Sequence, residues 1–159
     1  MNIAVESGSQ AALCDPVRLL ISVEPGGQMP RYASDGAAGM DLCSNERVTL
    51  QPMERKCVGT GIRLAIPPGY EGQVRPRSGL ALRLGLGMVN SVGTIDSDYR
   101  GEVGVLLINL GSDVVELDRG ERIAQLVLSP VMRADLIEVA EVPMDTTRGE
   151  NGFGSTGTR

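Results

Sequence analysis

The sequence predicts an all-β domain, a jelly roll, sandwich or barrel built from short strands. Three observations carry that expectation. Turn signals rich in Gly and Pro recur every eight to twelve residues. Between them apolar and polar residues alternate, the period of a half-buried strand. No segment sustains a helical period for three turns, so two-sheet and barrel architectures are the ones left.

Taken in order, residues 1–15 are small, polar and unpatterned, and read as a flexible extension before a β domain over 16–142. Val17, Leu19, Ile21 and Val23 share one face of a first strand. In "AAGMDLCS" (37–44), alternation sets Asp41 opposite the core residues Met40 and Leu42. Ile62, Leu64 and Ile66 alternate before "PPG" (67–69). "SGLALRL" (78–84) is the one helical stretch, with Ser78 as its expected cap. "GMVN" (87–90) and "TIDSDY" (94–99) read as the arms of a β-hairpin around "SVG". Val103 to Asn109, "VVEL" (114–117), "RIAQLVL" (122–128) and "DLIEVAEV" (135–142) complete the strands. After Pro143 the pattern gives way to a Gly-rich tail, residues 143–159, read as a mobile lid.

Composition removes several kinds of chemistry. The 159 residues suit one domain, and the net charge of −5 offers no surface for nucleic acid or an anionic membrane. Histidine is absent, which excludes Ser-His-Asp and Cys-His catalysis and His-ligated metals. Catalysis then falls to carboxylates, a bound ion, or both. Lys56 is the only lysine among 15 Lys+Arg, so bound anions meet planar guanidinium forks. Cys14, Cys43 and Cys57 lack CxxC spacing and read as buried or incidental thiols of a reducing compartment. With neither a signal-like start nor a continuously apolar window, a cytoplasmic protein is expected. One Phe, three Tyr and no Trp leave an aliphatic core, and make any aromatic outside it a functional candidate.

Several segments hold candidate chemistry. In "RPRSGLA" (75–81), a helix start would turn free amides toward an anion, with Arg75 and Arg77 beside them. A capped helix with two solvated arginines explains that segment equally well. "RGENGFGSTG" (148–157) combines Arg148, hydroxyls and the sole Phe in a Gly-rich run, as a closing lid requires, though such tails are commonly disordered. Asp41 taken alone reads as an exposed edge carboxylate, and Arg122 and Gln125 interrupt an apolar strand and need partners if buried. In "VNSVGTIDSDYRGE" (89–102), open main-chain groups at a turn can present donors and acceptors to a nucleobase edge.

Together the segments resemble the trimeric dUTPase family. Its five motifs appear in order: "AGMDL" (38–42), "RPRSGLA" (75–81), "NSVGTIDSDYRGE" (90–102), "ERIAQL" (121–126) and "RGENGFGSTG" (148–157). The resemblance implies a jelly-roll-like subunit, a homotrimer with shared active sites, and Mg²⁺-assisted cleavage of dUTP to dUMP and pyrophosphate. That reaction limits dUTP and supplies dUMP for thymidylate synthesis. It further implies that Asp96 is the general base for the attacking water. Asn90, Gly93 and the backbone of Thr94 and Ile95 would read uracil, and Tyr99 would pack on the deoxyribose. Arg77, Ser78 and Gly79 would hold the phosphates, with Gln125 on the α-phosphate side. Arg148, Phe153, Gly154, Ser155 and Thr156 would close over base and γ-phosphate, while Asp41 would approach the metal through water only. Met40 stands where many members carry an aromatic, and Asn151 replaces a common glycine that Asn can mimic in the left-handed region. A dCTP deaminase shares the fold but predicts ammonia release. A catalytically idle member would be marked by changes at Asp96, Ser78 or the tail, and all of these stand unaltered.

Overall fold

The computed structural model of the chain describes residues 16–151. The expected extension 1–15 and the lid residues Phe153, Gly154, Ser155 and Thr156 lie outside the described residues. Within them the chain is antiparallel β with one short helix. Strands β1 (Leu20–Val23), β5 (Arg55–Ala65), β9 (Glu102–Asn109) and β7 (Leu86–Met88) make one sheet, in that order. A second sheet runs β2 (Arg31–Tyr32), β3 (Met40–Cys43), β11 (Arg122–Pro130), β6 (Tyr70–Pro76), β8 (Gly93–Ile95). A two-stranded ribbon pairs β4 (Val48–Leu50) with β10 (Val115–Leu117).

Alternation decides what goes inside. Ile62, Leu64 and Ile66 are each at most 3% exposed, as are Val103, Val105 and Leu107 on β9. With Leu42, Val74, Ile123 and Leu126 from the second sheet they form one aliphatic core. Met40 belongs to it, so the residue standing in for an aromatic is a packing residue. Burying each such side chain contributes about 1.5–3 kcal/mol, which offsets the entropy of ordering the strands. Asn109 is the polar exception, fully buried with its amide spent on the carbonyls of Leu50 and Asp113 and on the Gly111 N–H.

Two expectations change. The arms around "SVG" are not paired with each other: β7 pairs with β9 in one sheet, and β8 pairs with β6 in the other. Each arm has a longer neighbouring strand to bond, so the turn crosses between sheets instead of closing a hairpin. "DLIEVAEV" forms no strand, and Leu136 and Ile137 are 89% and 77% exposed. An alternating segment needs a neighbour to pair with, and the described residues provide none there. Among the described residues Cys57 is exposed and Cys43 part-buried, both free thiols as expected, and Cys14 lies outside them.

Candidate active site

The second sheet assembles a polar row on its outer face. Register sets Arg31 opposite Asp41, Asp41 opposite Gln125 and Gln125 opposite Arg75, on four adjacent strands. Because Met40 and Leu42 point to the core, Asp41 must point out, as alternation predicts. The sequence places Arg122 and Gln125 three residues apart, which in a regular strand sets them on opposite faces. A bulge corrects this. Arg122 pairs with Cys43 and Ala124 with Leu42, so Ile123 and Ala124 are both buried and Arg122 and Gln125 share the outer face.

Helix α1 (Ser78–Leu84) starts at the end of β6. Its N-cap is Arg77, in extended conformation with no side-chain cap bond, so Ser78 is the first helical residue and not the cap. The N–H groups of Leu80 and Ala81 both donate to the Arg77 carbonyl, at 3.1 Å. The free amides at this turn are therefore those of Ser78 and Gly79, fewer than the sequence suggested. No hydrogen bond engages the Ser78 hydroxyl among the described residues. Gly85 ends the helix in the left-handed region, where its lack of a Cβ removes the strain.

These pieces surround one cleft of about 210 Å³, lined by Gly39, Asp41, Arg77, Ser78, Gly79, Arg122 and Gln125, with two alanines. Asp41 is held from both sides: Arg77 Nε lies 3.3 Å from Oδ1 and Arg122 Nη1 3.1 Å from Oδ2. Arg77 Nη1 also donates to the Arg122 carbonyl at 3.0 Å. A Cβ on Gly39 would stand 3.2 Å from Gln125 Cβ and Oε1, so the bare α-carbon leaves the amide its place in the cleft. Arg75 is turned away, bonded to Gln73 Oε1. Burial beside Asp41 pushes the Cys43 thiol up, which keeps it unreactive. Arg122 was flagged in the sequence only as a polar interruption, and the bulge that carries it to the cleft has no sequence signal of its own.

The remaining predicted residues lie elsewhere. Asn90, Thr94, Asp96 and Tyr99 are exposed, with Gly93 buried and Ile95 half-buried, on and beside the far edge strand β8. Tyr99 donates its hydroxyl to the Glu102 carbonyl at 3.0 Å. Three strand spacings and four residue rises separate Asp96 from Asp41, which is about 20 Å in a pleated sheet. Arg148 sits in the exposed tail, where its Nε donates to the Asn151 carbonyl at 2.9 Å. Gly149 takes the positive φ there, and Asn151 does not.

No group of three or more His, Cys, Asp or Glu is placed to cage a metal among the described residues. The residues present suit a hard ion that arrives on phosphate oxygens and keeps its waters. Asp41 Oδ2 accepts from Arg122 and Oδ1 is ion-paired with Arg77, and both retain lone-pair capacity for a metal-bound water.

Comparison with known proteins points to one family. The family model described as dUTPase matches residues 26–157. A deoxyuridine 5'-triphosphate nucleotidohydrolase of Anaeromyxobacter sp. is 62% identical over 130 residues, covering 82% of this chain and 88% of that protein. One from Zymomonas mobilis is 62% identical over 128 residues, 80% of this chain and 87% of that protein. Among solved structures, the dUTPase of Staphylococcus bacteriophage 80alpha with dUPNHPP superposes with a TM-score of 0.82 at 29% identity, covering 88% of this chain and 98% of that one. A dUTPase of S. aureus phage phi11, solved for its coordination of a structural Mg(II) ion, gives 0.74 at 25% identity over 79% and 98% of the chains. With a family model spanning most of its length and relatives this similar, the chain belongs to the dUTPase family.

Proposed function

We propose that this protein hydrolyses dUTP to dUMP and pyrophosphate in a homotrimer whose active sites are each built from more than one copy. The observation that carries the chemistry is the cleft joining Arg77, Ser78, Gly79 and Gln125 with Asp41. The Arg77 guanidinium, the amides of Ser78 and Gly79 and the Gln125 side chain suit a polyphosphate chain. The relatives named as nucleotidohydrolases of dUTP supply the substrate, and the intact 90–102 segment supplies its reader.

Each residue then has a task. Arg77, Ser78 and Gly79 hold phosphate oxygens, and Gln125 orients the α-phosphate. Asn90, with the main chain of Gly93, Thr94 and Ile95, pairs with the uracil edge; cytosine would leave those groups unmatched, at a cost of roughly 10⁴-fold in selectivity. Tyr99 packs against the deoxyribose and leaves no room for a 2′-hydroxyl. Asp96 takes a proton from the attacking water, the role a histidine-free chain leaves to a carboxylate. Arg148, Phe153, Gly154, Ser155 and Thr156 close over the bound nucleotide as part of a lid spanning 143–159. Mg²⁺ supplies charge neutralisation on the phosphates when bound. Asp41 would hold it through a coordinated water.

A general base must lie within about 3 Å of the water it activates. The roughly 20 Å between Asp96 and Asp41 in one chain cannot be bridged that way, which supports a second copy bringing its 90–99 segment to the cleft. The exposed apolar residues Leu136, Ile137, Val139 and Val142 support the same assembly, since an alternating segment with no partner strand among the described residues suits another copy. The free thiols support a reducing, cytoplasmic setting.

The test is pyrophosphate release with Mg²⁺ from dUTP beside dCTP, dTTP and UTP. Release from dUTP alone is expected; release from none, with dUTP bound, leaves a nucleotide-binding module and overturns the reading. Asp96→Asn should lower turnover by roughly 10²–10⁴-fold with dUTP affinity little changed. Turnover at the wild-type rate removes Asp96 from its role.

A further inference from the structure

We infer that Arg122 is a positioning residue: it acts on bound phosphate through Asp41, which in turn orients Arg77. The inference rests on the cleft being the phosphate site proposed above. Three contacts carry it. Arg122 Nη1 holds Asp41 Oδ2 at 3.1 Å, Asp41 Oδ1 holds Arg77 Nε at 3.3 Å, and Arg77 Nη1 returns to the Arg122 carbonyl at 3.0 Å. The loop of contacts is closed, and it fixes the plane of the Arg77 guanidinium.

The charge arithmetic gives the loop a purpose. A lone carboxylate in a phosphate cleft repels its ligand, and a lone Asp41–Arg77 pair would cancel the charge that binds it. Adding Arg122 leaves the trio at +1, with the negative charge enclosed between two cations. Asp41 is 17% exposed and Arg77 24%, whereas Arg122 is 54% exposed and reaches the pair from the groove outside. The more buried pair is thus the arranged one, and the exposed arginine is the brace. The bulge at Ile123 and Ala124 is the backbone feature that makes the brace possible, because without it Arg122 would turn to the other face.

A brace and a direct ligand predict different measurements. Binding of dUPNHPP and of dUMP to the full-length protein is measured by calorimetry for the wild type, Arg122→Gln, Asp41→Asn and the double variant, with unfolding temperatures recorded beside them. Arg122→Gln should weaken dUPNHPP by roughly tenfold, the scale of a lost charge-assisted contact, and dUMP less than twofold. Added to Asp41→Asn, it should cost clearly less than it costs the wild type, because the residue it acts through is already gone and only its screened charge remains. Arg122→Lys, which keeps the charge but loses the fork, should recover part of the affinity.

Additive losses in the double variant overturn the relay and make Arg122 a direct ligand. Equal losses for dUPNHPP and dUMP, or losses that follow a falling unfolding temperature, overturn it in favour of a general structural role. A wild type that binds neither nucleotide overturns the phosphate reading of the cleft, and this inference with it.

Discussion

A single carboxylate can be tuned by what donates to it. Asp41 is flanked by two arginines at the cleft, and Glu54, at the surface, shows the tuning. The Gln51 N–H donates to Glu54 Oε2 at 2.7 Å and Lys56 Nζ stands 3.2 Å from Oε1. The backbone bond first, then the lysine, hold the Glu54 carboxyl below its ordinary value of 4.5. A depressed carboxyl stabilises the fold at pH values above the ordinary one, and that contribution disappears as pH falls through the folded value. Glu54→Gln should therefore be less stable than wild type at pH 7, with the gap closing below about pH 4. Unfolding midpoints at pH 7 and pH 3 check the sign; an equal gap at both pH values removes the carboxylate as its cause. Neither pair of contacts was legible in the sequence. Gln51 and Glu54 are neighbours in the chain, but Asp41 and Arg122 are 81 residues apart and meet only through strand register.

Elements were more legible than their ends or their partners. The strand runs over 62–66, 103–109 and 122–128 formed because alternating or continuous apolar residues leave the chain few other ways to bury them. The start of α1 moved by one residue, since Arg77 takes the extended conformation and its carbonyl receives the first helical bonds. At 51–54 the chain makes a Gln-Pro-Met-Glu turn in which Glu54 N–H donates to the Gln51 carbonyl and Met53 adopts φ 64°. Proline second and positive φ third is the type II pattern, whose third position favours glycine. The left-handed region costs a residue with a Cβ about 1–2 kcal/mol, and glycine returns about 0.5–1 kcal/mol of that as unfolded-state entropy. Met53 is 69% exposed and gives up little packing. Met53→Gly should thus raise unfolding free energy by roughly 0.5 kcal/mol in urea titrations, and a loss of stability would show that the side chain contributes more than its exposure suggests.

For the molecule as a whole, the prediction concerns what one chain lacks. If each site takes its cleft from one copy and its 90–99 segment from another, two inactive variants can repair each other. On the proposed roles Arg77→Ala removes a phosphate ligand and Asp96→Asn the base, so neither variant alone should turn over dUTP appreciably. Unfolded together and refolded, the mixture contains sites pairing an intact cleft with an intact Asp96, and measurable pyrophosphate release should return. Mixing without unfolding should restore less. No recovery after refolding would place both residues in one chain's site and contradict the separation that the sheet register imposes.

The sequence by itself determined the fold class, the aliphatic core and the family, because strand periodicity and a long ordered set of motifs are local features that survive in one dimension. It also named most of the cleft, since Asp41, Arg77, Ser78, Gly79 and Gln125 stand in those motifs. Only the tertiary structure decided that the two arms around "SVG" join different sheets, and that residues 135–142 find no strand to pair with among the described residues. It alone brought Arg122 to Asp41. The reason is the same in each case: hydrogen-bond register and a single bulge select which distant residues face each other, and neither is written in the periodicity of the strands it joins.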